Sequence, residues 1–131
     1  MKVALDTNVL VSAFATRGLC ADVFNLVLAE HELIVGPAVL SELRAVLRGK
    51  FMVPERVVDE VVALIHERAV VVGTAVAVDV AIRDADDAAV LAEAMGGSAE
   101  VLVTGDRDLL VISQKLPIRI LTPRGFWDSL R

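Results

Sequence analysis

The strongest constraint on this chain is a set of short aliphatic runs that each stop abruptly. Val3-Ala4-Leu5 ends at Asp6, Leu33-Ile34-Val35 at Gly36-Pro37, Val101-Leu102-Val103 at Thr104-Gly105, and Ile118-Arg119-Ile120-Leu121 at Thr122-Pro123. Such runs are too short for a buried helix, and the first three lack the alternation of a strand with one wet face. They read as strands buried on both faces, the pattern of a parallel sheet. Parallel strands need crossovers, and the intervening segments supply them at helical spacing. Val9 to Phe14 and Leu19 to Leu28 are helix-like, with Val23, Leu26 and Val27 on one face beside Phe24 and Leu28. Val39, Leu40, Leu43 and Leu47 form a stripe behind Pro37, and Val57, Val58, Val61, Val62 and Ile65 form another behind Pro54. Ala85 to Met95 predicts a helix with Asp84 as its cap and Gly96-Gly97 as its stop. Leu109 to Ile112 predicts a short helix, and Thr122-Pro123 opens the last one. Val70 to Val80, rich in Val and Ala but broken by Gly73, predicts one strand without a defined register. The expected fold class is α/β: a three-layer α/β/α sandwich around a central parallel sheet.

Composition narrows what such a sandwich can do. A length of 131 residues suits one domain spanning 1–131, and no repeat, low-complexity tract or linker divides it. The formal net charge of −5 excludes a polycation that holds nucleic acid by bulk charge. An aromatic share of 4%, without Tyr, argues against a base-stacking platform. The hydrophobic share of 56% excludes disorder and predicts exposed apolar surface that a partner covers. Cys20 is the lone cysteine, and His31 and His66 are the only histidines, so neither a disulfide nor a Cys/His metal centre is expected. The apolar stretch Ala69 to Val78 is about half of what a membrane span requires, and Asp6 interrupts any signal-peptide core. The expectation is a cytoplasmic protein with no membrane association.

In an open parallel sheet, ligands gather beyond the carboxyl ends of the strands, where the strand order reverses. Acids fall at those places here. Asp6 follows the first run, Asp106 and Asp108 follow Val101 to Val103, Glu42 lies on the helix after the second run, and Asp84, Asp86 and Asp87 open the helix before the third. Each has a plain structural reading: Asp6 and Asp84 as caps, Glu42 on a solvated face, Asp106 in a turn. Together they would repel one another, and a divalent cation with oxygen ligands relieves that repulsion. Mg²⁺ is the expected cofactor.

In this joint order the chain resembles the PIN-domain nucleases, and within them the VapC-like toxin group, over nearly its whole length. Leu5-Asp6-Thr7-Asn8 resembles the opening motif, Ser41-Glu42-Leu43 the second, Asp84 to Ala92 the third, and Thr104-Gly105-Asp106-Arg107-Asp108-Leu109-Leu110 the fourth and most specific. Thr122-Pro123-Arg124-Gly125-Phe126 resembles the usual end of the domain. The resemblance implies a catalytic quartet of Asp6, Glu42, Asp87 and Asp106, with Asp6, Asp87, Asp106 and the auxiliary Asp108 holding metal. For the third acid, Asp87 shares a stripe with Leu91 and Ala94 that should face the sheet, whereas Asp86 shares one with Val90 and Glu93 that leans to solvent. Asp84 is the alternate third acid. Thr7, Asn8 and Thr104 would support the carboxylates by hydrogen bonding.

The resemblance implies Mg²⁺- or Mn²⁺-dependent endonucleolytic hydrolysis of RNA, with a homodimer and a small antitoxin as protein partners. Arg44, Arg48 and Lys50 follow Glu42 and are the candidate contacts for flanking phosphates. Two other readings stand beside it. One is a catalytically inactive PIN-like binding or scaffold domain, which would tolerate loss of the acids. The other is a Mg-dependent phosphotransfer enzyme of Toprim type, suggested by Glu42 with Asp106-Arg107-Asp108, although that type places its Glu after the first strand. Walker A, G-x-G-x-x-G and G-x-S-x-G motifs are absent from the sequence.

Overall fold

In a computed structural model that describes residues 1–73 and 81–130, all four aliphatic runs become strands of one parallel sheet. The elements run β1 (Lys2–Leu5), α1 (Thr7–Ala15), α2 (Leu19–Glu30), β2 (Glu32–Val35), α3 (Pro37–Gly49), α4 (Glu55–Arg68) and β3 (Val70–Val71). They continue with α5 (Ala85–Gly96), β4 (Val101–Val103), α6 (Arg107–Leu110), β5 (Arg119–Leu121) and α7 (Pro123–Ser129), with a 3₁₀ turn at Ser113–Lys115. Strand order is β3-β2-β1-β4-β5, so β1 and β4 are neighbours at the point where the chain reverses its direction of travel across the sheet. The helices flank the sheet in an α/β/α arrangement. Among the described residues, no single helix is long and apolar enough to cross a membrane.

The predicted stripes supply the core. Val39, Leu40, Leu43 and Leu47 of α3 are buried, as are Val58, Val62 and Ile65 of α4 and Val23, Phe24 and Val27 of α2. Each such side chain contributes about 1.5–3 kcal/mol of hydrophobic stabilisation, before the entropy of ordering it is counted. The sheet interior is equally dry, with Val3, Leu102 and Val103 fully buried. Residual apolar exposure lies at the α3–α4 turn, where Phe51 and Met52 are exposed, on β3 at Val70 and Val71, and at Val111.

Three sequence expectations shift. The short helix expected at Leu109 to Ile112 instead begins at Arg107, because Asp106 caps it by accepting from the Asp108 amide at 2.8 Å. Of the strand expected within Val70 to Val80, the described residues form Val70–Val71, paired with Ile34 and Val35 and extended by the bond from Val72 N–H to Val35 O, while positions 74–80 lie outside the described residues. Val90 and Glu93, read as leaning to solvent, are both buried. Helix α5 therefore presents apolar or buried groups over a wider arc than its acids suggested.

Gly97 closes α5 where the helix turns back toward β4. A Cβ there would collide with the side chains of Ile34 and Val72. Gly97→Ala is expected to lower stability by about 1–3 kcal/mol through overpacking, read as a fall in thermal melting temperature.

Candidate functional site

The site begins with a strand register. Parallel pairing sets Leu5 beside Val103, so the next residues, Asp6 and Thr104, emerge together at the carboxyl end of the sheet. Both are buried. The Thr104 hydroxyl donates to Asp6 Oδ2 at 2.6 Å and accepts from the Asp106 amide at 3.0 Å. Asp6 Oδ1 accepts from the Thr7 amide at 2.7 Å, so Asp6 also caps α1, as its plain structural reading anticipated. Burial pushes the Asp6 carboxyl above the usual carboxylate range; the bonds from Thr104 and Thr7 oppose that rise, and Asp106 and Asp84 add to it.

Beyond this pair, Asp87, Asp106 and Asp108 bring one carboxylate oxygen each to within 4.8 Å of one another. Asp87 is buried, Asp106 half-buried and Asp108 exposed, so the group grades from the protein interior to its surface. Among the described residues, Asp87 Oδ2 is buried without a hydrogen-bond donor. Burial, followed by a carboxyl–carboxylate contact with Asp106, raises Asp87 to about 7. Two carboxylates in such contact are held together by a shared proton or by a cation. The donor set is all oxygen and hard, which suits Mg²⁺ or Mn²⁺ and not a soft metal. The orphaned oxygen is the feature a bound cation would satisfy.

The remaining acids form the rim. Asp84 sits before α5 and accepts from the amides of Asp86 at 2.7 Å and Asp87 at 3.2 Å, so it is a cap and stands outside the three-acid group. Glu42, half-buried on α3, lines a cleft of ≈ 370 Å³ with Asp86 and Ala89 of α5 and Ala38, Ser41 and Ala45 of its own helix. Burial raises the Glu42 carboxyl, and Asp86, then Asp6 and Asp84, add repulsion. Asp86, exposed as the sequence suggested, is thus the closest electrostatic neighbour of Glu42, a relation the helical periodicity did not reveal.

The supporting residues divide. Thr104 bridges two acids, whereas the Thr7 hydroxyl is buried without a partner and only its amide reaches Asp6. Asn8 is exposed, and among the described residues its side chain makes no hydrogen bond. Arg44 pairs with Asp59 at 2.6 Å and Glu55 at 3.3 Å, and Arg48 with Glu55 at 2.6 Å, so both guanidiniums are engaged by α4. Lys50 lies 5.7 Å from the centre of the Phe51 ring. The residue that sequence reasoning missed is Glu93, a buried carboxylate bonded to the Ala38 amide at 2.7 Å and the Val39 amide at 3.2 Å. A glutamate inside an apolar helical stripe was its available signal. A larger cavity, lined by Leu26, Glu30, His31, Trp127 and Leu130, contains none of these acids.

A family model described as PIN domain matches residues 2–108. No curated protein sequence matches the chain. Among solved structures, one described as VapBC2 from Rickettsia felis bound to a DNA fragment from their promoter is similar, with a TM-score of 0.61 and 17% identity. The match covers 92% of this chain and 97% of that one, and at this identity it is a likeness of fold.

The acid group predicts a pH dependence. An unfolded Asp releases its proton near about 4, whereas folded Asp87 holds its proton up to about 7. The stability this contributes is fully present below the unfolded value and is lost as pH rises through the folded one. Thermal melting of the metal-free protein between pH 4 and 8 should show that decline, and Asp87→Asn should flatten it and raise melting at neutral pH. A wild-type and variant profile that run parallel would refute the shift.

Proposed function

The chain belongs to the PIN domain family, and from that premise we propose that it is a Mg²⁺- or Mn²⁺-dependent endoribonuclease and the toxin of a toxin–antitoxin pair. The observation that carries the reading is the convergence of Asp87, Asp106 and Asp108 around a buried oxygen with no donor. These three would hold the cation. Asp6 would join them, since each of its oxygens accepts one hydrogen bond and a carboxylate offers about four lone-pair sites. When bound, the cation supplies a water nucleophile of lowered pKa and positive charge against the phosphodiester. The protein's own part is orientation: Thr104 ties Asp6 to Asp106, and Asp84 fixes the first turn of α5 on which Asp87 stands. Glu42, raised by burial and by its acidic neighbours, is a stronger base than an ordinary glutamate and takes up a proton at the cleft wall.

RNA has to approach an acidic chain, so local cations matter. Exposed ion pairs such as those of Arg44 and Arg48 hold by about 0–1 kcal/mol, and a phosphate can displace Glu55 or Asp59 at little cost. Lys50 extends the same strip. The fold likeness to VapBC2 supports a small antitoxin as partner, and the same reading carries a homodimer and a cytoplasmic setting. The Toprim-type alternative requires Glu after the first strand, but Asp6 occupies that place and the family is a different one. The scaffold alternative is separated by experiment.

Purified protein is incubated with mixed single-stranded RNA and Mn²⁺, Mg²⁺ or EDTA, beside Asp6→Asn and Asp106→Asn. Cleavage is expected with either metal, none with EDTA, and a loss on the order of 10²-fold or more in both variants, by analogy with removing one preorganised electrostatic group. Both variants should fold normally, because each substitution relieves repulsion. Folded wild type that neither cuts RNA nor binds Mn²⁺ by calorimetry would overturn the nuclease in favour of the scaffold.

A further inference from the structure

Helix α3 starts without a side-chain cap of its own: its N-cap is Gly36, and Pro37 in the first position has no N–H. The first helical bond runs from Leu40 N–H to Gly36 O, which leaves the amides of Ala38 and Val39 to be satisfied. Glu93, 55 residues further along the chain on α5, takes both, accepting from Ala38 through Oε2 and from Val39 through Oε1. Glu93 is only 7% exposed, and its carboxylate sits at the positive end of the α3 dipole. Gly36 makes room for it, since a Cβ there would collide with the Glu93 carboxyl.

Resting on the nuclease reading above, we infer that Glu93 is a positioning residue that fixes Glu42 against α5. Glu42 lies three and four residues beyond the two anchored amides, one helical turn inward. The opposite wall of its cleft, Asp86 and Ala89, belongs to the helix that carries Glu93. One carboxylate therefore ties the two walls of the cleft to each other. Burying a charge is costly, and a local Ser or Asp cap would end α3 without that cost. A cap supplied from α5 adds something a local one lacks, a fixed spacing between the helices. Glutamine is no substitute, because one of its two polar atoms is an amide nitrogen, itself a donor, that would face an N–H.

The test compares Glu93→Gln with wild type and with Gly97→Ala, which disturbs packing one helical turn beyond Glu93 but keeps its carboxylate, on RNA with Mn²⁺. Glu93→Gln is expected to lower kcat about tenfold with KM unchanged, in the range seen when a supporting partner of a metal-site residue is lost. In metal-free protein its Ala38 and Val39 amides should exchange faster. Gly97→Ala should lose melting temperature with kcat preserved. Where Glu93→Gln does not fold, Glu93→Asp, which keeps the charge but withdraws it by one methylene, should show the same effect in smaller measure. Folded Glu93 variants with wild-type kcat overturn the inference, as does a Gly97→Ala loss of kcat matching theirs at equal loss of stability. Folded wild type that neither cuts RNA nor binds Mn²⁺ overturns the nuclease reading itself, and the inference with it.

Discussion

Everything at the carboxyl edge depends on how β1 lies against β4. Parallel pairing of Leu5 with Val103 carries the chain out of the sheet at two adjacent points, and Thr104 then bonds Asp6 through its hydroxyl while receiving the Asp106 amide. A shift of one residue in that register would turn Thr104 to the opposite face, and Asp6 would lose its buried donor. The apolar burial of Val3, Leu102 and Val103 enforces the register, so ordinary hydrophobic packing is what brings acids from opposite ends of the chain together.

Those acids are a liability in their own right. Asp6, Glu42 and Asp87 are all pushed toward the neutral form by burial and by neighbouring carboxylates, and among the described residues Asp87 Oδ2 meets no donor. A fold selected for stability alone would place amides or apolar groups there. The protein instead keeps acids in contact there, a repulsion that a shared proton or a cation relieves. Around the cluster, capping contains the strain: Asp84, Asp106 and Glu93 each satisfy amides at a helix start, giving the carboxylates a rigid base.

Most of this frame was legible in the residues. Abrupt aliphatic runs gave the strands, helical stripes gave the crossovers, and the topological rule pointed to the edge where Asp6 and Asp106 emerge. What escaped was decided by tertiary contact. Glu93 looked like a solvent residue because periodicity assigns faces to one helix, and it cannot see the bare N-terminus of another packed against it. Arg44 and Arg48 looked available because α4 acids, close in space, lie beyond the reach of a single helical stripe. The start of α6 was misplaced because the Asp106 cap outranked the apolar spacing of Leu109 to Ile112. The expected metal set of Asp6, Asp87, Asp106 and Asp108 differs from the three-acid group the fold assembles, in which Asp6 is not included, and the gradation of that group from buried to exposed is a property of the fold.

The 98 residues that separate Asp6 from Thr104 also set a timetable. During synthesis β1 can pair with β2 early, while its other edge stays open until β4 emerges between β1 and β5. At translation rates of about 5–20 residues per second, that wait is roughly 5–20 s. Throughout it, a nascent or truncated chain carries Asp6 and Glu42 but neither Thr104 nor Asp106. The acid cluster cannot exist in part. It assembles only as residues 101–108 are added, so the ribosome delivers the β1–β2 part of the sheet first and its acidic edge later.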